Sequence, residues 1–286
     1  VQTDLPVAVF LSGGIDSSLV LKYAKKYHPK ITAFCVGEEG SSDLKFAKIA
    51  ADYVGVKLEI FDPKNINVPH ELEKFIYIAE SFEPNLINTV GLSYYVAKLA
   101  HERGIKIALV GEGADEIFAG YSEFAEISNY DDLQKSLLGY IRLLYRTQLQ
   151  RVDRGSMACG VEARVPFLDK EFVEYVMAIN PSLKIYGNST KWILRQAFMG
   201  ELPDEIINRE KVPFPVGVNA SRKEFQKDIY SQTAERNLSD GEFMKLQIDY
   251  PEYKLQTKEE AYYFSLYKKY FLKAKFDQER LPVKAR

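Results

Sequence analysis

The sequence predicts an α/β fold: a parallel sheet with helices on both faces, followed by a mostly helical C-terminal half packed on it. Three observations carry that expectation. Short apolar runs recur at 7–11, 31–36, 57–61 and 106–110, as in strands buried inside a layered domain. Between them the hydrophobic period changes to that of amphipathic helices. Strands and helices that alternate in this way build parallel sheets through right-handed crossovers.

Taken in order, "VAVFL" (7–11) is apolar on both faces and reads as a fully buried strand. From Ser17, a helix places Leu19, Val20, Tyr23, Ala24 and Tyr27 on one face. "ITAFCV" (31–36) is a second buried strand. Asp43 reads as the N-cap of the next helix, whose buried stripe is Leu44, Ala47, Ala50, Ala51 and Val54. "KLEIF" (57–61) is a third strand, and a helix over 91–103 turns Leu92, Val96, Leu99 and Ala100 inward. It leads to "KIALV" (106–110), a fourth strand followed at once by "GEGADE". Beyond about residue 120 no strand is expected, and the chain closes with a helical stripe of Phe264, Tyr267, Phe271 and Ala274. Without a repeat or a clear linker, residues 1–286 are expected to form one domain, with 1–120 as the α/β core and 121–286 as a helical extension completing the site.

Composition narrows the function classes. Apolar residues make up 46% of the 286 and charged residues 27%, as in an ordinary globular enzyme. A net charge of −2 gives no electrostatic case for nucleic acid or membrane as a partner. No apolar stretch approaches the roughly 20 residues that span a bilayer. Cys35 and Cys159 stand far apart and outside any C-x-x-C, which points to a reducing, cytoplasmic compartment. His28, His70 and His101 form no metal-ligand spacing. The chain opens at Val1 with no methionine and reaches its first strand by Val7, the start expected of a piece of something longer.

Two loops carry the chemistry. Ligands of open parallel sheets bind at the carboxyl ends of the strands, where the strand order reverses. "SGGIDSS" follows the first strand and "GEGADE" follows the fourth. Gly13 and Gly14 let backbone N–H groups turn inward as an anion nest. Ser12, Ser17 and Ser18 add hydroxyl donors, and the following helix adds its positive end. A phosphate group suits this loop. An aspartate in an anion site makes sense only if a cation accompanies the anion, so Asp16 suggests Mg²⁺, with Asp115 supplying a second carboxylate. A turn and a capped helix would account for S-G-G alone, but not for S-G-G-x-D-S-S paired with G-x-G-x-D-E. The chain has no G-x-x-x-x-G-K-[ST], and "GEGADE" lacks the third glycine of a dinucleotide fingerprint.

With these motifs in place, the chain resembles a known family. "SGGIDSS" looks like the PP-loop of ATP pyrophosphatases, of the adenine-nucleotide α-hydrolase-like fold, which split ATP between its α and β phosphates. "FCVGEEGSSDLKFA" (34–47), "GEGADEIFAGY" (111–121), "RVDRGSMACGVEARVPFLDKEF" (151–172) and "TKWILRQAF" (190–198) together resemble the synthetase half of asparagine synthetases, in order over residues 7–198. The resemblance implies a ligase that adenylates aspartate with ATP, releases pyrophosphate, and lets ammonia displace AMP. By the same resemblance, Leu11, Val36, Val110 and Gly111 border the adenosine. Ser12, Gly13, Gly14, Ser17 and Ser18 cradle the pyrophosphate, and Asp16 and Asp115 hold its Mg²⁺. Lys191 would neutralise charge growing on phosphorus in the transition state, and Glu112 would assist amide formation. Glu116, Arg154 and Asn88 are the candidates for the substrate side of the pocket. The loop that carries Asp16 is expected to be exposed.

Departures from the family pattern accompany these matches. Many members carry a serine directly before "GEG", where Val110 offers only its backbone. Asn88 stands where several members carry an arginine thought to meet aspartate. Glu162 and Arg164 read as a structural ion pair tying the helical half to the sheet, with a pocket role left open for Arg164. Asp153 and Arg154 either orient substrate or brace their helix. β-Lactam-forming synthetases share the adenylation but place a tyrosine where Glu112 stands, so Glu112 favours amide synthesis. A tRNA-modifying relative would need a basic face and often paired cysteines. Family members that use glutamine draw ammonia from an N-terminal glutaminase domain, whose nucleophile is the first cysteine of the chain. No such domain is expected in these residues, so ammonia would come from another domain or subunit.

Overall fold

The computed structural model describes residues 3–212, 218 and 225–272. In chain order the main elements are β1 (Val7–Phe10), α1 (Ile15–Tyr27), β2 (Thr32–Val36), α2 (Ser42–Val54), β3 (Leu58–Phe61), α3 (Val68–Ala79) and α4 (Pro84–Glu102). There follow β4 (Ile107–Leu109), α5 (Ala114–Phe118), α6 (Tyr130–Leu143), α7 (Gln148–Met157), β5 (Glu162–Arg164), α8 (Lys170–Ala178), α9 (Trp192–Ala197) and α10 (Asp204–Ile207). The last three are α11 (Phe225–Asn237), α12 (Asp240–Asp249) and α13 (Lys258–Phe271).

The strands form one five-stranded sheet in the order β3-β2-β1-β4-β5, and every pairing is parallel. Alternation sorts the side chains. Val7, Val9, Ala33, Cys35, Ile107 and Leu109 pack with Leu19, Leu21, Ala47 and Ala51 of α1 and α2. Ala8, Phe34 and Val36 face the other way, onto Leu92, Val96 and Ala100 of α4. Phe34 is fully buried, which contributes about 2–3 kcal/mol relative to an exposed ring. Because β1 lies between β2 and β4, the chain's crossovers diverge there. The crevice at a reversal point opens at the carboxyl ends of the two central strands.

Packing divides the chain into two units. The first comprises Val1–Ile66 with Thr89–Phe225, and the second comprises Asn67–Asn88 with Gln226–Arg286. The second unit has its own aromatic core, in which Phe82 meets Tyr253, Phe264 and Tyr267 edge-on at centroid distances of 5.8, 5.2 and 5.3 Å.

Several expectations are corrected. α1 begins at Ile15, and Tyr23 and Tyr27 are exposed, Tyr27 by 78%. Ser41, not Asp43, caps α2 by accepting from the Leu44 N–H. α4 starts at Pro84, earlier than the expected 91. A strand does occur beyond residue 120: β5 joins the sheet edge beside β4. It is only three residues long and carries two charges, so alternation could not reveal it. Arg164 and Glu162 pair with each other at 2.8 Å within this strand, so the backbone ladder, not that ion pair, makes the attachment to the sheet. Phe264 is buried in α13, whereas Ala274 lies outside the described residues.

Candidate active site

The glycine loop is shaped by contact with α2. Gly13 adopts φ +72°, and a Cβ there would stand 2.3 Å from the Ala47 nitrogen and 2.4 Å from the Phe46 carbonyl carbon. Only glycine satisfies both the left-handed backbone and the close approach. Gly14 then acts as the N-cap of α1 without any side-chain cap, so the helix start keeps free donors on the loop side. The Ser17 hydroxyl accepts from the Ser12 N–H at 3.2 Å and donates to the Gly14 carbonyl at 3.3 Å. Ser12 and Ser17 therefore brace the loop internally, and the Ser18 hydroxyl is buried without a hydrogen-bond partner among the described residues. Leu11, Val36 and Val110 are buried at or just past the carboxyl ends of β1, β2 and β4.

Asp16 in the first turn of α1 and Asp115 in the first turn of α5 converge on one ammonium. Lys191 Nζ lies 2.5 Å from Asp16 Oδ2 and 2.6 Å from Asp115 Oδ1. Lys211 Nζ lies 2.6 Å from Asp115 Oδ2. Gly120 makes the room, since a Cβ there would be 2.1 Å from Asp115 Oδ1 and 2.2 Å from Lys191 Cε. Lys191 is held in a left-handed backbone conformation, φ +53°, at the start of α9. Burial pushes the Asp115 carboxyl up, but the charges of Lys191 and Lys211 outweigh it and hold the group well below the usual carboxylate range.

Alongside this cluster, Glu116 is buried and accepts from the Tyr121 hydroxyl at 2.6 Å. Burial raises its carboxyl, opposed by that hydrogen bond. Glu112 pairs with Arg151 of α7 at 2.9 Å. Arg154, one turn further along α7, is exposed, as is Asp153. Asn88 belongs to the second unit, where its amide donates to Glu259 at 2.8 Å and accepts from the Tyr263 hydroxyl at 2.9 Å.

Two carboxylates on one point suit a divalent cation shared with phosphate oxygens. Among the described residues Asp16 Oδ1 is buried without a hydrogen-bond partner, and Asp115 Oδ1 meets the Lys191 ammonium. The two carboxylates would hold the metal. No group of three or more His, Cys, Asp or Glu side chains with metal-binding geometry occurs among the described residues.

A profile of the asparagine synthase family matches residues 1–137 and 123–266. The chain belongs to the asparagine synthase family. It is 35% identical to "Asparagine synthetase [glutamine-hydrolyzing] 2" of Lotus japonicus over 94% of this chain and 48% of that protein. It is 36% identical to the protein of the same name from Oryza sativa subsp. japonica, over 95% of this chain and 48% of the relative. It is also 34% identical to "Asparagine synthetase [glutamine-hydrolyzing] 1" of Arabidopsis thaliana, over 94% and 49%. The chain thus spans about half the length of the curated relatives it matches. No described helix is long and apolar enough to cross a membrane.

Residues of this cluster that sequence reasoning missed are Lys211, Arg151 and Tyr121. Arg151 lay inside a quoted motif, but Arg154 one turn later carries the same charge, and only packing tells them apart. Lys211 sits in "NREKV", which has no motif of its own; its partner Asp115 is 96 residues away.

Proposed function

We propose that this chain catalyses the ATP-dependent amidation of aspartate to asparagine through β-aspartyl-AMP, releasing pyrophosphate and AMP. The observation that carries the reading is the convergence of Asp16, Asp115 and Lys191 beside the glycine loop, in a chain of the asparagine synthase family.

A carboxylate resists direct amidation because oxide is a poor leaving group. The aspartate side-chain oxygen attacks the α-phosphorus of ATP, and the bond between that phosphorus and the bridging oxygen to the β-phosphorus breaks. Pyrophosphate departs into the cradle of Ser12, Gly13, Gly14, Ser17 and Ser18. Leu11, Val36, Val110 and Gly111 border the adenosine. Mg²⁺ held by Asp16 and Asp115 supplies charge neutralisation on the phosphates when bound. Lys191 adds fixed positive charge where negative charge grows, in a buried setting that strengthens it, and the exposed Lys211 adds to it from the rim. Ammonia then attacks the acyl carbon, AMP leaves, and Glu112, oriented by Arg151, takes the proton shed by nitrogen. Glu116 faces the substrate side with Tyr121 fixing its carboxylate, and Arg154 is a further candidate there.

Residues 1–120 supply the nucleotide loops, and the helical extension supplies Lys191, Lys211 and Arg151. A glutaminase domain or subunit, as in the glutamine-hydrolysing relatives, would provide ammonia. Cys35 and Cys159 form no disulfide among the described residues, which suits a reducing cytoplasm. The test is nucleotide turnover with aspartate and ammonium: equimolar AMP, pyrophosphate and asparagine are expected. Release of orthophosphate, or turnover indifferent to aspartate, would sink the reading.

A further inference from the structure

We infer that Arg209 and Arg195 are positioning residues for phosphate binding, two guanidiniums that set the Ser12–Gly14 loop and the Lys191 turn through backbone carbonyls. The inference rests on the adenylating function proposed above.

Arg209 follows α10, and its side chain is 6% exposed. Nη1 donates to the Ser12 carbonyl at 2.8 Å. Nη2 donates to the Asp43 carboxylate and to the Ser42 hydroxyl, both in the first turn of α2. The guanidinium stacks on Phe46, 4.5 Å from the ring centroid. Gly13 backs onto Phe46 and Ala47 in the next turn of α2. Because a trans peptide points its C=O and N–H in opposite directions, fixing the Ser12 carbonyl toward Arg209 fixes the Gly13 N–H away from it. The arginine thereby sets the direction of a donor in the anion nest without touching the anion.

Arg195 repeats the device one step away. Its Nε donates to the Thr190 carbonyl at 2.8 Å, which fixes the peptide entering Lys191. Nη1 donates to the Ile207 carbonyl and Nη2 to the Arg209 carbonyl at 3.0 Å. The Lys191 turn, the segment bearing Lys211, and the glycine loop are thus referenced to one another by two side chains. Stability alone does not require this arrangement. A buried ion pair such as Arg209–Asp43 is often replaced by apolar residues without loss of stability. What apolar residues cannot replace is the donor to Ser12.

That difference supplies the test, by calorimetric titration of the full chain with magnesium pyrophosphate. No binding to wild type would overturn the adenylating function, and this inference with it. Given wild-type binding, the double variant Arg209→Met/Asp43→Leu is expected to melt within a few degrees of wild type yet bind pyrophosphate roughly tenfold more weakly or worse. Wild-type affinity in the folded double variant would overturn the role of Arg209. Should that variant not fold, Arg209→Lys decides. It keeps a charge for Asp43 but cannot span Ser12, Ser42 and Asp43, so the same loss is expected, and wild-type affinity would refute it. Arg195→Lys should lower kcat with little change in the KM for ATP; an unchanged kcat would remove Arg195 from the pair.

Discussion

Lys191 is the residue on which the site's electrostatics turn. Two buried carboxylates sharing one ammonium are stable as found, but a polyphosphate brings negative charge that Lys191 and Lys211 can only partly offset. The loop carrying Asp16 is not exposed as the sequence suggested, since Asp16 is only 9% accessible. Asp16→Asn therefore has a structural cost of about 1–2 kcal/mol, limited because Lys191 keeps Asp115. Its expected effect on adenylate formation is far larger, roughly a thousandfold or more. Lys191→Met should depress kcat by about 100- to 1000-fold while changing the KM for ATP much less, since its charge matters most as phosphorus gains charge. Pre-steady-state release of pyrophosphate measures both. A raised KM for ATP with kcat unchanged would make Lys191 a ground-state ligand.

Among the elements, the turn between α8 and α9 decides where Lys191 points. Tyr186 and Ser189 exchange backbone hydrogen bonds at 3.1 and 2.9 Å, and Trp192 N donates to the Lys184 carbonyl at 2.8 Å. Tyr186 stacks on Trp192 with centroids 4.8 Å apart. The turn is plugged by Lys184, which is fully buried and whose ammonium donates to the Met177 sulfur at 3.8 Å. Burial alone pulls Lys184 down to about 8 from 10.5. Between those values the unfolded chain binds more protons at this site than the folded one, so stability rises as pH climbs from about 8 to about 10.5. At pH 7 the charge is retained and costs up to about 3 kcal/mol. Lys184→Met should therefore raise the urea midpoint at pH 7 and flatten the alkaline rise relative to wild type. A lower midpoint would mean that the ammonium has a stabilising partner.

For the whole molecule, the expectation concerns nitrogen. Cys35 is buried in β2, where burial pushes its thiol up. Cys159 Sγ donates to the Tyr94 carbonyl at 3.4 Å. A buried thiol pushed up in this way makes Cys35 a poor nucleophile. These 286 residues should make asparagine with added ammonium and form no glutamate from glutamine. Glutamate appearing in step with AMP would overturn that expectation.

The sequence by itself determined the four strands from β1 to β4 and the two loops at their carboxyl ends that carry Asp16 and Asp115. These rest on local rules: an apolar run specifies a buried strand, glycines specify a turn, and a motif fixes which carboxylates sit at its end. Tertiary structure alone decided that β5 closes the sheet edge and that Lys211 meets Asp115. It also decided that Arg151, not Arg154, reaches Glu112, and that Arg209 grips a carbonyl 197 positions away. The reason is that a charged side chain has no periodicity to betray its partner. Which cation meets which carboxylate, or which carbonyl, is set by where packing leaves the ends of two distant segments.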